Sequence, residues 1–97
     1  MTLARHYSLS AKPGKGDAMA EQLDHLADAV RAVPGNLGFE LLRNLDDGDR
    51  FVFIEKWESV DAHKAAGQHI PREAFAMFGE LLDGAMDGAY LSYLKTI

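Results

Sequence analysis

Apolar and polar positions alternate from the start of the chain. Between Thr2 and Ala11, Leu3, Arg5, Tyr7 and Leu9 fall on one side, and Ala4, His6, Ser8 and Ser10 on the other. A period of two predicts a first strand. Lys12-Pro13-Gly14-Lys15-Gly16 breaks it, and the period then changes: Met19, Leu23, Leu26, Val30 and Val33 recur at spacings of four and three. One side of the segment is therefore apolar, while Glu21, Asp24, Asp28 and Arg31 face water, as in an amphipathic helix. Asp17 is placed to cap that helix, where a carboxylate accepts from unpaired amides at the positive end of the dipole.

Pro34-Gly35-Asn36 stops the helix, and Leu37 to Leu45 reads as a second strand. Asp46-Asp47-Gly48-Asp49 turns the chain into Phe51 to Trp57, which predicts an antiparallel hairpin. The third strand carries Phe51 and Phe53 on one face and Val52 and Ile54 on the other. A sheet with one wet face alternates more cleanly, so both faces are expected to be covered, one by helices and the other by a second copy of the chain. Ser59 is a helix cap with Asp61 in the first turn, and Gly67 weakens or ends that helix. Pro71 opens another helix with the stripe Ala74, Phe75, Phe78, Leu81 and Leu82, stopped near Gly84. Ala89 to Lys95 closes the order as a fourth strand, giving βαββαβ with the second helical segment split in two.

At 97 residues the whole chain, 1–97, reads as one domain of α+β class. A domain this small buries proportionally little surface, which again favours a homodimer. There is no cysteine, so disulfides, thiolate metal sites and cysteine nucleophiles are excluded. With 15 acidic against 10 basic residues and a formal charge of -5, a phosphate backbone would be repelled, so no nucleic-acid partner is expected. No stretch approaches the ~20 apolar residues that cross a bilayer, and the first residues lack the apolar core of a signal peptide. The expectation is a cytoplasmic protein with no membrane partner.

The chemistry concentrates in Phe51 to Ser59, FVFIEKWES, which holds a lone acid in an apolar strand and the only tryptophan. A desolvated Glu55 would have a raised pKa and could remove a phenolic proton. It could equally be paired with Arg5, Arg43 or a tyrosine across the sheet. Trp57 could stack on a planar ligand or simply fill the core. His63 and His69 are six residues apart, hence on different faces of a continuous helix, and not spaced as a metal pair. His69, just before the Pro71 helix, is the better pocket candidate of the two. On strand one either His6 and Ser8 or Arg5 and Tyr7 would offer polar groups to a ligand, and at most one of Tyr90 and Tyr93 reaches the same side.

The βαββαβ order, a Pro34-Gly35-Asn36-Leu37-Gly38-Phe39-Glu40 entry to strand two and the Phe53-Ile54-Glu55-Lys56-Trp57-Glu58-Ser59 exit from strand three resemble the antibiotic biosynthesis monooxygenase family. The resemblance covers nearly the whole chain. It implies a ferredoxin-like fold whose antiparallel sheet packs against a second subunit to form a dimeric α/β barrel, with a pocket between sheet and helices.

It further implies a cofactor-independent monooxygenase acting on a small phenolic, quinol or enol-type aromatic substrate, with no cofactor and no metal. A non-catalytic homodimer that binds a small apolar or aromatic ligand, or a related isomerase, are the alternatives. Glu55 and His69 are then the candidate catalytic groups, and Trp57, His63, His6, Tyr7 and Phe53 the candidate substrate contacts. Two features depart from the family pattern. Ala66 stands nine residues after the tryptophan, where many relatives carry a histidine, and the second tryptophan of haem-degrading members is absent.

Overall fold

In the computed structural model, which describes residues 2–97, the first alternation forms β1 (Leu3–Ser10) and the first amphipathic stretch forms α1 (Gly16–Arg31). Strands β2 (Asn36–Arg43) and β3 (Arg50–Trp57) make the hairpin, followed by α2 (Val60–Ala65), a 3-10 turn at Ala66–Gln68, α3 (Glu73–Leu81) and β4 (Asp87–Ser92). The four strands lie in the order β2-β3-β1-β4, every neighbouring pair antiparallel. This is the ferredoxin-like α+β arrangement that the order of elements predicted.

Register decides which residues meet. Arg5 lies opposite Glu55 on β3 and Tyr90 on β4, and Glu55 in turn lies opposite Phe39. Tyr7 lies opposite Phe53, Leu3 opposite Trp57, and Leu9 opposite Phe51. Because side chains alternate across a strand, all of these share one face. That face packs against Met19, Leu23, Leu26 and Val30 of α1 and Phe78 and Leu81 of α3, forming the core. The reverse face presents His6, Ser8, Val52, Ile54, Leu42 and Leu91, with Leu42 and Leu91 about half exposed.

Local chemistry explains the boundaries. Ser59 caps α2 as expected, its hydroxyl accepting from the Ala62 amide at 3.0 Å. Asp17 sits in the first turn of α1 without capping it. The carboxylate of Asp49, from the β2–β3 turn, takes that part, accepting from the amides of Gly14 (3.1 Å) and Gly16 (2.9 Å). Gly16 lies so close under this turn that an added Cβ would strike the Gly48 carbonyl. Hairpin turn and helix start are thereby locked together, and Asp17 instead pairs with Arg43 at 3.0 Å. Gly35 adopts φ +89 and provides the left-handed step that ends the α1 connection. The closing strand begins two residues before Ala89 and ends at Ser92, because Ser8 to Leu3 of β1 supply its ladder partners.

Candidate active site

A cavity of about 170 Å³ lies between the sheet and the helices. Phe53, Glu55 and Trp57 from β3 and Tyr7 from β1 form its floor; Leu26 and Val30 of α1, with Ile70, Phe75, Phe78 and Met86, supply an apolar wall. His63 near the end of α2 and Ala66 and Gly67 of the 3-10 turn close it from above, and with Ile70 beyond that turn they form one stripe along the cavity. The stripe lies over the sheet because the Ser59 cap fixes where the helix begins.

Glu55 is the buried acid of this cavity, 5% exposed. Trp57, fully buried, donates its indole N–H to Glu55 Oε1 at 3.1 Å. Loss of water raises the Glu55 pKa from 4.5 to about 6, against the opposing effects of the Trp57 hydrogen bond and the Arg5 charge. His63 Nε2 lies 3.7 Å from Glu55 Oε1, longer than a hydrogen bond. Burial and the Arg5 guanidinium both push the His63 pKa down, so near neutral pH the imidazole is uncharged and the contact is no ion pair.

His63 is held at both ring nitrogens. Its Nε2 is 2.8 Å from the Tyr7 hydroxyl and its Nδ1 is 2.7 Å from the Tyr90 hydroxyl. A neutral imidazole has one donor and one acceptor nitrogen, so one tyrosine accepts while the other donates. Burial raises the Tyr7 pKa, which keeps its phenol protonated. Arg5 lies beneath this chain, its guanidinium carbon 4.3 Å from the Tyr90 ring centroid and 5.0 Å from that of Tyr7. Gly88 makes the slot possible, since a Cβ there would come within 2.5 Å of the Arg5 Nη2.

Here a buried carboxylate with an elevated pKa, a neutral imidazole, an indole donor and an apolar wall share one small cavity. The arrangement can take a proton from an acidic hydroxyl or activated C–H group and hold a planar ring against aromatic side chains. A sequence model of the antibiotic biosynthesis monooxygenase family matches residues 2–78. The chain belongs to that family.

Among curated relatives, a haem oxygenase (mycobilin-producing) of Mycobacterium tuberculosis is 32% identical over 65 residues, 67% of this chain and 62% of the relative. The chain thus matches less than two thirds of that relative's length. YcnE of Bacillus subtilis is 28% identical over 80 residues, 81% of this chain and 84% of its own. Among solved structures, SnoaB, a cofactor-independent oxygenase from Streptomyces nogalater, superposes with a TM-score of 0.83 at 16% identity, covering 99% of this chain and 96% of that one. At that identity the likeness concerns the fold.

Glu55, Trp57, His63, Tyr7 and Phe53 all line the cavity. His69 and His6 do not. His69 caps the 3-10 turn that follows α2 and is exposed there, outside the cavity lining. His6 sits on the reverse face, where the strand alternation that brings in Arg5 and Tyr7 necessarily puts it. Ala66, where the resemblance expects a histidine, is buried on the cavity wall. The imidazole at this wall comes from His63, about one turn earlier. Sequence reasoning left Tyr90 undecided between faces; its pairing with Arg5 was the missing signal. Phe75 and Phe78 read as plain core, yet together with Met86 they bound the cavity. No group of three or more metal-binding side chains occurs among the described residues, and no helix of theirs is long and apolar enough to cross a membrane.

Proposed function

We propose that this chain is a monooxygenase of activated single-ring phenols, quinols or enols, with Glu55 as the base. The observation that carries the reading is a lone carboxylate buried in the wall of an apolar cavity and held by the Trp57 indole, where burial pushes its pKa up to about 6. Such a base is largely ionised at neutral pH yet basic enough to accept a phenolic proton in the transition state. The phenolate or enolate then adds oxygen at carbon. Cleavage of the O–O bond leaves one oxygen in the product and releases the other as water; for a phenol or quinol the four electrons come from ring C–H becoming C–OH and from oxidation of the resulting quinol to the quinone, and for an enol from its CH2 carbon becoming C=O. The names of the family and of several relatives agree with this reaction class.

Cavity size bears on the substrate. A dry apolar cavity of about 150 Å³ accommodates benzene, so 170 Å³ has room for one aromatic ring. Haem, suggested by the name of one relative, is a far larger ligand, and the imidazole nearest the cavity is already engaged at both nitrogens by tyrosines. The experiment is oxygen uptake with a panel of one-ring and three-ring quinols, with Glu55→Gln as control. Uptake on one-ring quinols that is lost in Glu55→Gln supports the assignment. Tight binding of such quinols without any uptake replaces it with ligand sequestration, the second reading.

We also infer that the working unit is a homodimer joined through the reverse sheet face. Val52, Ile54, Leu42 and Leu91 form an apolar patch on that face among His6, Ser8, Glu40 and Lys56, and Ala4, Ile54, Leu91 and Leu94 with Glu40 and Lys95 bound a trough on it of about 410 Å³. The helices pack on the other side.

A further inference from the structure

The Tyr7–His63–Tyr90 chain has a direction that the base alone does not explain. Its inner end touches the cavity at Tyr7 and Glu55, while its outer end, Tyr90, is 39% exposed on the edge strand β4. Between them lies an imidazole bonded to hydroxyls on both sides, at 2.8 and 2.7 Å. We propose that His63 and Tyr90 form a proton path between the Glu55 carboxyl and solvent. The inference rests on the reading of Glu55 as the base that receives the substrate proton.

The step balances without any added reactant. Glu55, having taken the substrate proton, gives it to His63 Nε2 as the imidazole closes the 3.7 Å gap between them. Nδ1 releases its own proton to the Tyr90 oxygen, and the Tyr90 hydroxyl releases one to water. One proton has left the cavity and the imidazole stands in its other tautomer. When the oxygen-derived group requires a proton to leave as water, the same steps run inward and restore the starting tautomer. The path therefore completes one cycle per turnover.

The groups around His63 suit transfer without storage of charge. Arg5 and Tyr7 on β1, Glu55 and Trp57 on β3 and Tyr90 on β4 face the ring, while Asp61 and Lys64 of its own helix are exposed. The one cation among the facing groups is Arg5, whose Nε is buried without a hydrogen-bond partner. Its charge disfavours an imidazolium above it, so a proton passes by tautomer exchange and does not rest on the ring. Tyr90 is in these terms a positioning residue, acting on the substrate only through His63.

Tyr90→Phe tests the path, since a half-exposed edge position tolerates loss of a hydroxyl without unfolding. In the wild type, imidazole ¹⁵N shifts of His63 are expected at values averaged between the two neutral tautomers across the Glu55 titration, and in Tyr90→Phe at the values of one fixed tautomer. With a quinol that the wild type oxidises, Tyr90→Phe lowers kcat by roughly tenfold or more, leaves KM unchanged and alters the solvent deuterium isotope effect. Tyr93→Phe changes none of these. A single locked tautomer in the wild type, or an unchanged kcat and isotope effect in Tyr90→Phe, overturns the path. If the wild type oxidises no quinol, the monooxygenase reading fails, and the ¹⁵N shifts still decide the path.

Discussion

Trp57 holds Glu55 by a hydrogen bond between neighbours on the same face of one strand, indole N–H to Oε1 at 3.1 Å, with both side chains buried. Base and support are thus two residues apart and move together with β3, the strand flanked by β1 and β2. The bond favours the ionised acid, while burial favours the neutral one, and burial is the larger effect. Between the two, the carboxyl pKa is pushed up to about 6.

Glu55→Gln should abolish oxygen uptake and at the same time stabilise the protein. A folded-state pKa raised from 4.5 to about 6 means that folding resists ionisation, so stability is full below about 4.5 and falls as pH rises to about 6. At 1.36 kcal/mol per unit the cost above pH 6 is about 2 kcal/mol. Glutamine keeps an oxygen for the Trp57 donor and carries no charge. Thermal melting should show the variant gaining several degrees over the wild type at pH 7.5 and almost none at pH 4. Equal melting temperatures at both pH values would contradict a desolvated carboxylate.

Trp57→Phe removes the donor that lowers the Glu55 pKa. Hydrogen bonds to charged groups contribute about 1.5–3 kcal/mol, so the pKa should rise by about one unit or more above its present value of about 6. The acidic limb of the kcat/KM profile is then displaced to higher pH, with activity recovering at pH 8. A uniform fall in rate at every pH would assign Trp57 to ligand stacking instead. The fit of Trp57 into the core adds a packing loss of about 1–3 kcal/mol.

The order of elements, with the amphipathic first helix, was legible because strand and helix periods differ. The strand acid and tryptophan were legible for the same reason: a lone carboxylate in an apolar run stands out. The histidine assignment was not. His69 precedes a proline and reads as a loop residue near a helix start, whereas His63 belongs to a stripe with Ala66, Gly67 and Ile70 whose small residues carry little hydrophobic signal. Nor does alternation say which face of β1 the helices cover; only pairing of Arg5 with both Glu55 and Tyr90 puts Tyr7 inside and His6 outside. The capping of α1 by Asp49 is equally invisible locally, because the carboxylate comes from 33 residues away.

The two histidines therefore separate cleanly. His63→Gln is expected to lower kcat by about tenfold or more, in the range of a proton-transfer partner, because an amide can hydrogen-bond the tyrosines but cannot exchange tautomers to pass a proton between them. His69→Ala should leave kcat and KM within twofold, as befits an exposed residue outside the cavity. Steady-state kinetics on the two variants, with melting curves to confirm folding, checks this. The reverse ranking would restore His69 as the catalytic histidine.

Phe75 bounds the cavity while remaining 41% exposed, so it can be shortened without hollowing the core. Phe75→Ala should cost about 1 kcal/mol or less, well below the 3–5 kcal/mol of a fully buried phenylalanine. It should also relax the size limit: three-ring quinols, expected to bind at least tenfold more weakly than one-ring quinols in the wild type, approach them in the variant. Equilibrium binding measured by quenching of Trp57 fluorescence reads both values. Equal affinity for small and large quinols in the wild type would show that the 170 Å³ cavity does not set the substrate.

Glu55 and Ile54 are adjacent on β3 and point to opposite faces, which makes dimer and cavity separable by substitution at consecutive positions. Ile54 is half-buried on the reverse face, beside Val52 and opposite Glu40, and in a sheet-to-sheet dimer it would lose its remaining contact with water. Ile54→Asp would then require an unpaired charge to be desolvated, a penalty large enough to split the dimer. Light scattering should report twice the chain mass for the wild type at micromolar concentration and a single chain for Ile54→Asp. Dissociation should lower the melting temperature, since a chain of 97 residues loses the cover over half its sheet. A wild type that is monomeric at these concentrations would leave the apolar reverse face without its proposed partner.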